Sequence, residues 1–121
     1  MMTRWDEKYI MYIGYSDKKV QKICENEKEA RKKLGNDVAL KMFQRIQWLA
    51  KAPNLDFFNT TYKFLRIHKL SGEYNNMYAL DINKQYRLIF YPCDQEGNID
   101  LESDFKSISI VTIQEVSKHY E

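Results

Sequence analysis

The chain is 121 residues long, carries a formal net charge of +2, and is 44% hydrophobic and 30% charged, with two cysteines. That length fits one domain spanning residues 1–121, which at such a size buries roughly two thirds of the surface its unfolded chain exposes, so no second core is expected. The slight cationic excess excludes nucleic-acid binding by the whole surface and asks for a local patch, while Cys24 and Cys93, far apart and outside any Cys-x-x-Cys pair, speak against a disulfide framework or zinc site.

Two idle thiols in a reducing compartment are the expectation. The segment Met1-Met-Thr-Arg-Trp-Asp-Glu-Lys has no apolar h-region, and no run approaches the roughly 18 apolar residues of a membrane span. A cytoplasmic, soluble protein with no membrane partner is therefore predicted.

In chain order, Lys8 to Tyr15 is rich in aromatic and β-branched residues and reads as a strand, closed by Ser16-Asp17, which are good helix caps. Val20, Ile23, Cys24, Ala30 and Leu34 then recur at helical spacing until Gly35 supplies a stop. Asn36-Asp37 can cap a second helix with the stripe Val38, Ala39, Met42, Phe43, Ile46, Leu49 and Ala50, ending before Pro53. The two helices are expected to form an antiparallel hairpin.

Asn54 to Thr61 reads as a connecting loop. Lys63 to Leu70, Asn76 to Ile82 and Tyr86 to Tyr91 are short alternating segments parted by Ser71-Gly72 and Asn83-Lys84, and predict a three-stranded meander. Pro92 to Lys106 holds Asp94, Glu96, Asp100, Glu102 and Asp104 against Lys106 and is expected as a loop or hairpin extension. Ser107 to Ile113 is a last strand, followed by a short polar tail. The predicted fold class is α+β: an N-terminal strand and a helical hairpin on a small, twisted, mainly antiparallel sheet.

The chemistry concentrates in the meander. Between Phe57 and Tyr91 the charges are Lys63, Arg66, Lys69, Lys84 and Arg87 against Glu73 and Asp81, five cations to two anions, set where strands meet turns. No Gly-rich phosphate loop, paired metal carboxylates, His-Glu-x-x-His pattern or serine nucleophile elbow is present, which disfavours nucleotide-driven and metal-dependent reactions. Neither a metal nor another cofactor is expected.

With the stretches His68-Lys-Leu-Ser-Gly72, Tyr86-Arg-Leu-Ile-Phe90 and a terminal His119-Tyr120, this element order resembles the RelE/ParE superfamily of bacterial toxins, with HigB-like killer proteins the most similar branch. The resemblance covers nearly the whole chain and implies a RelE-like microbial RNase fold. It also implies a toxin of a type II toxin-antitoxin pair, an endoribonuclease that cuts mRNA on the ribosome and inhibits translation. Its partners would be a cognate antitoxin protein, the ribosome and mRNA.

Cleavage by attack of the ribose 2′-hydroxyl on the adjacent phosphate needs a base, an acid and cations that stabilise charge on the phosphorane-like transition state. Carried over by the resemblance, the turn lysine is Lys69, the strand arginine Arg87, and the terminal Asp-Tyr-His falls on Lys118-His119-Tyr120, with aromatic and imidazole exchanged and lysine replacing the carboxylate. The implied catalytic set is Lys69 and Arg87 as phosphate clamp, His119 as acid or base and Tyr120 beside it. Arg66, His68, Lys84 and Lys118 form the surrounding RNA-binding set.

Bland alternatives stand beside these roles. Arg87 alternates with Ile89 and Tyr91 and is a natural ion-pair partner for Asp81, and Lys69 beside a Ser-Gly turn is an ordinary solvated residue. At the level of function, the alternatives are a ParE-like inhibitor of DNA gyrase and a non-catalytic, degenerate toxin or RNA-binding module.

Overall fold

The computed structural model describes residues 11–118. Strand β1 (Tyr12–Tyr15) is followed by helices α1 (Lys18–Glu25), α2 (Glu27–Leu34), α3 (Asn36–Lys51) and α4 (Leu55–Thr61), then by strands β2 (His68–Lys69), β3 (Tyr78–Asp81), β4 (Tyr86–Cys93) and β5 (Ile110–Lys118). The strands make one sheet in the order β1-β5-β4-β3-β2, antiparallel except where β1 runs parallel to β5. The fold is α+β, with the N-terminal strand, helical layer and mainly antiparallel sheet that the sequence predicts. The part of the first predicted strand before Met11 lies outside the described residues.

The helical layer has one more break and one more helix than periodicity suggests. Asp17 caps α1 by accepting from the Val20 amide at 2.8 Å, but the expected single helix to Gly35 divides at Asn26. That residue is extended, at φ −108°, and its side chain accepts from the Glu29 amide at 2.9 Å. An asparagine side chain offers the backbone an alternative to the helical ladder, and here it starts a second helix. Gly35, at φ +87°, ends α2 and opens α3, so Asn36 and Asp37 occupy the first turn of α3 and do not cap it.

Asn54 to Thr61 is helical where a loop is expected. The Asn54 side chain accepts from the Phe57 amide at 2.7 Å, and Leu55 and Phe58 are fully buried. Packing of two large side chains overrides a composition poor in helix formers.

The predicted strand from Lys63 to Leu70 is mostly a turn. Lys63–Leu65 is a 3-10 helix that sends Leu65 into the core, Arg66 takes the left-handed conformation at φ 54° and ψ 57°, and only His68 and Lys69 pair with β3. The final strand is longer than predicted, because Gln114 to Lys118 continue along β4, with a bulge that sets Ile89 opposite Glu115 and Phe90 opposite Ile113. Glu115 and Ser117 of this stretch lie on the side of the sheet away from the helices, and Val116 alone packs against the core, so no apolar run marks it.

Pro92 sits inside β4 without breaking it, since β3 pairs only as far as Phe90 and no ladder bond from the Pro92 nitrogen is needed there. A bridge from Cys93 to Ile99 makes the acidic segment a hairpin extension, and the carboxylates of Asp94 and Asp100 accept backbone amides of the turns that they close.

One face of the sheet carries the core: Leu80, Ile82, Leu88, Phe90, Val111 and Ile113 pack with Met42, Leu49, Leu55 and Phe58 of the helices. Strand alternation turns Ala79, Asp81, Arg87, Ile89, Glu115 and Ser117 to the opposite face. No helix among the described residues is long and apolar enough to cross a membrane.

Candidate functional site

The turn between β3 and β4 and the segment entering β2 enclose a hollow of about 70 Å³, lined by Arg66, His68, Asp81, Asn83, Lys84, Tyr86 and Arg87. A water occupies about 30 Å³ of liquid volume, so the space suits one small polar group and not a whole nucleotide. Four of the eight residues named from sequence therefore meet here, and with them three permanent cations face a single carboxylate.

Each lining residue has a local reason to be there. Asn83 accepts from the amides of Gln85 at 2.9 Å and Tyr86 at 2.7 Å, and this side-chain turn fixes the β3–β4 hairpin. The hairpin register sets Arg87 opposite Asp81 on one side and Ser117 on the other. Arg66 reaches the hollow from its left-handed turn and pairs with Asp81 at 3.2 Å. Asp81 thus takes Arg66 as its ion-pair partner, and Arg87 makes no ion pair among the described residues.

Arg87 is more unusual than that. Its Nε is buried and has no hydrogen-bond partner among the described residues. Buried guanidinium donors are normally satisfied, and one left open is costly enough to ask for a ligand acceptor.

His68 has a defined tautomer. Its Nδ1 lies 2.8 Å from the Arg66 carbonyl oxygen, and because a carbonyl only accepts, Nδ1 must carry the hydrogen. In the neutral ring the lone pair is then on Nε2, the atom that a base would use.

A second group of polar residues adjoins the hollow along β5. Burial, and next to it a hydrogen bond to Glu115, raises the Tyr74 phenol, opposed by a bond to Ser117. Since Ser117 pairs with Arg87, Tyr74 bridges from the β2–β3 connection to the edge of the site as a neutral hydroxyl. Sequence patterning missed Tyr74, Glu115 and Ser117, because their proximity depends on the extra length of β5.

Arg45 of α3 was also missed, and periodicity alone has no means of finding it. Its Nη2 donates to the Ile82 carbonyl at 3.2 Å, pinning the same hairpin, while its own Nε, like that of Arg87, is buried without a partner among the described residues. Burial lowers its pKa, and Asp37 and Asp81 oppose the shift.

Of the other named residues two are described, and neither lines the hollow. Lys69 pairs with Tyr78, next to Phe90 on the core-facing rows, and is exposed at that edge, outside the hollow. Lys118 sits 6.0 Å from the centre of the Tyr86 ring at the end of β5. His119 and Tyr120 lie outside the described residues.

A larger hollow, about 540 Å³, is on the helical layer between α1–α2 and α3, with Ala39, Leu40 and Phe43 as its apolar part and Glu25, Glu27 and Arg31 at its polar side. Arg31 and Glu27 pair with each other, so size alone does not make this the reactive place. Cys24 and Cys93 are buried free thiols, and burial pushes Cys24 up to about 12. Among the described residues no group of three or more His, Cys, Asp or Glu side chains is placed to hold a metal ion.

No family model, curated protein or solved structure matches the chain.

Proposed function

We propose that the chain is an endoribonuclease, the toxin of a type II toxin-antitoxin pair similar to the RelE/ParE superfamily, which cuts mRNA on the ribosome and is held inactive by a cognate antitoxin. The reading is supported above all by one observation: Arg87, whose Nε is buried without a partner among the described residues, lines a cationic hollow together with an imidazole whose Nε2 is left as the lone-pair atom.

In this mechanism a phosphate of the RNA backbone occupies the hollow. Arg87 and Arg66 meet its non-bridging oxygens and Lys84 adds a point charge. His68 Nε2 takes the proton from the ribose 2′-hydroxyl, whose oxygen bonds to phosphorus as the bond to the 5′-oxygen breaks. His119, with Tyr120 next to it in the sequence, acts as the acid that returns a proton to that leaving oxygen, one of the two roles, acid or base, open to an imidazole there. The products are a 2′,3′-cyclic phosphate and a free 5′-hydroxyl.

A module that holds RNA without cutting it is favoured by the position of Lys69, which stands apart from the hollow that contains Arg87. A ParE-like gyrase inhibitor has no need of the hollow at all.

Primer extension on a defined mRNA, with and without programmed ribosomes, separates the three. Ribosome-dependent cuts that are lost in Arg87→Ala and His68→Ala support the nuclease. Binding without cuts leaves the RNA module, and toxicity that survives both substitutions points to gyrase.

A further inference from the structure

Beside the hollow stands a group of rings that the cleavage chemistry does not use. Trp48 and Tyr62 stack with centroids 4.5 Å apart and planes 4° from parallel. Phe64 stands on edge against both, 6.1 Å from Trp48 at 76° and 6.5 Å from Tyr62 at 72°. The Arg45 guanidinium carbon lies 5.7 Å from the Trp48 ring centre and 6.0 Å from that of Phe64. Phe64 is nevertheless 62% exposed, although its neighbour Leu65 is buried.

We propose that Phe64, propped on the Trp48–Tyr62 stack, is a stacking surface for one base of a single-stranded RNA whose adjoining phosphate occupies the hollow between Arg66 and Arg87. The inference rests on the reading of the hollow as an RNA phosphate site and adds the base subsite to it.

Three features favour this occupant. The 3-10 turn Lys63–Leu65 sends Leu65 inward and leaves Phe64 outward, while Arg66, two residues on, reaches the hollow. Two residues span at most about 7 Å of chain, so the backbone that carries the exposed ring adjoins the backbone that carries a phosphate-binding cation. The ring is also held in place from beneath: Arg45 is tied to the Ile82 carbonyl, next to Asn83 of the hollow, and two aromatic rings restrict Phe64 on its inner side. A ligand meeting it has little side-chain freedom to remove. Finally, three permanent cations and one carboxylate at the hollow select an anionic partner, and a nucleotide joins that charge to a π-face.

The test uses fluorescein-labelled 2′-O-methyl hexaadenylate, which cannot react by 2′-hydroxyl attack, and an abasic hexamer of the same backbone, with affinities from fluorescence anisotropy. Phe64→Ala is expected to weaken hexaadenylate binding about tenfold, the scale of one base–aromatic stack, and to leave the abasic hexamer unchanged. Phe64→Trp should keep the affinity, and Phe64→Leu, which retains bulk for packing, should lose it as Phe64→Ala does. Thermal melting checks that each variant is folded.

Unchanged hexaadenylate binding in Phe64→Ala and Phe64→Leu, with weakened binding in Arg87→Ala, overturns the base subsite and leaves the phosphate site standing. Equal loss of both hexamers in the Phe64 variants also overturns it. Absence of binding by the unaltered protein removes the phosphate site and the base subsite together.

Discussion

On the helix side of the sheet, Leu80, Leu88, Phe90 and Ile113 are wholly buried against Met42, Leu49, Leu55 and Phe58, and among the described residues no polar or charged residue is buried as a whole. On the other side, around the β3–β4 hairpin, Arg66 is left-handed, Arg87 buries a donor without a partner and three permanent cations converge on one carboxylate. Apart from the buried, unpartnered Nε of Arg45 on α3, the first region follows the rules that make a fold stable. The second departs from them at several adjacent residues, which is where a binding or reactive site is expected, since strain and open donors persist only if the surrounding structure holds them.

The sharpest way to separate the two regions is to truncate one residue of each. Phe90→Ala removes a fully buried ring that faces Tyr78 at 6.0 Å and should cost about 3–5 kcal/mol in denaturant unfolding. Arg87, three positions earlier on the same strand, should behave in the opposite way. Arg87→Met removes an unpartnered buried donor, so stability should hold within about 1 kcal/mol, while ribosome-dependent cleavage falls about a hundredfold. A large loss of stability in Arg87→Met would place that residue with the structural region.

The ionisable groups packed beneath the helices give a second contrast, read by pH. Burial, assisted by Glu25, pushes the Cys24 thiol up to about 12 from 9.0, and burial, then Cys24 and then Glu25, pushes the Tyr15 phenol to about 12 from 10.0. Both pKa values are raised on folding. Their contribution is thus fully present below pH 9, and it is lost as pH climbs from there towards 12, because the unfolded chain releases protons that the folded chain keeps. Unfolding titrations should show stability falling by on the order of 1 kcal/mol per pH unit above pH 9. In Cys24→Ala the decline should be shallower, and an identical slope would show that this thiol is not the group responsible.

The same division explains what the sequence could reveal. The apolar stripe of α3, the strand pattern of β3 and β4 and the stops at Gly35 and Asn83 are local signals, and each is found where periodicity puts it. Arg66, His68, Lys84 and Arg87 were legible as one site because they flank two turns of a single meander. What escaped depends on distant contacts. Helix α4 exists because Leu55 and Phe58 find a core, β5 runs on past Ile113 because β4 offers it a partner, and Tyr74 meets Glu115 only through that extension. Lys69 shows the limit of a spacing argument, since one step along a strand from His68 turns a side chain to the other face.

The smallest predicted effect bears on the left-handed residue itself. Arg66 adopts φ 54° with a Cβ, a conformation that costs roughly 1 kcal/mol or more in residues other than glycine. Its pairing with Asp81 offsets little of that, because the Arg66 side chain is 72% exposed and such pairs contribute about 0–1 kcal/mol. Arg66→Ala and Arg66→Gly both delete the guanidinium, but only the second relieves the backbone. Both should weaken binding of a single-stranded RNA to a similar degree, whereas the glycine variant should be the more stable of the two by about 1 kcal/mol in denaturant unfolding. Equal stabilities would mean that the turn tolerates a Cβ freely, and that Arg66 is shaped by the turn alone; the predicted gap would mean that the fold carries a strained turn in order to aim a cation at the hollow.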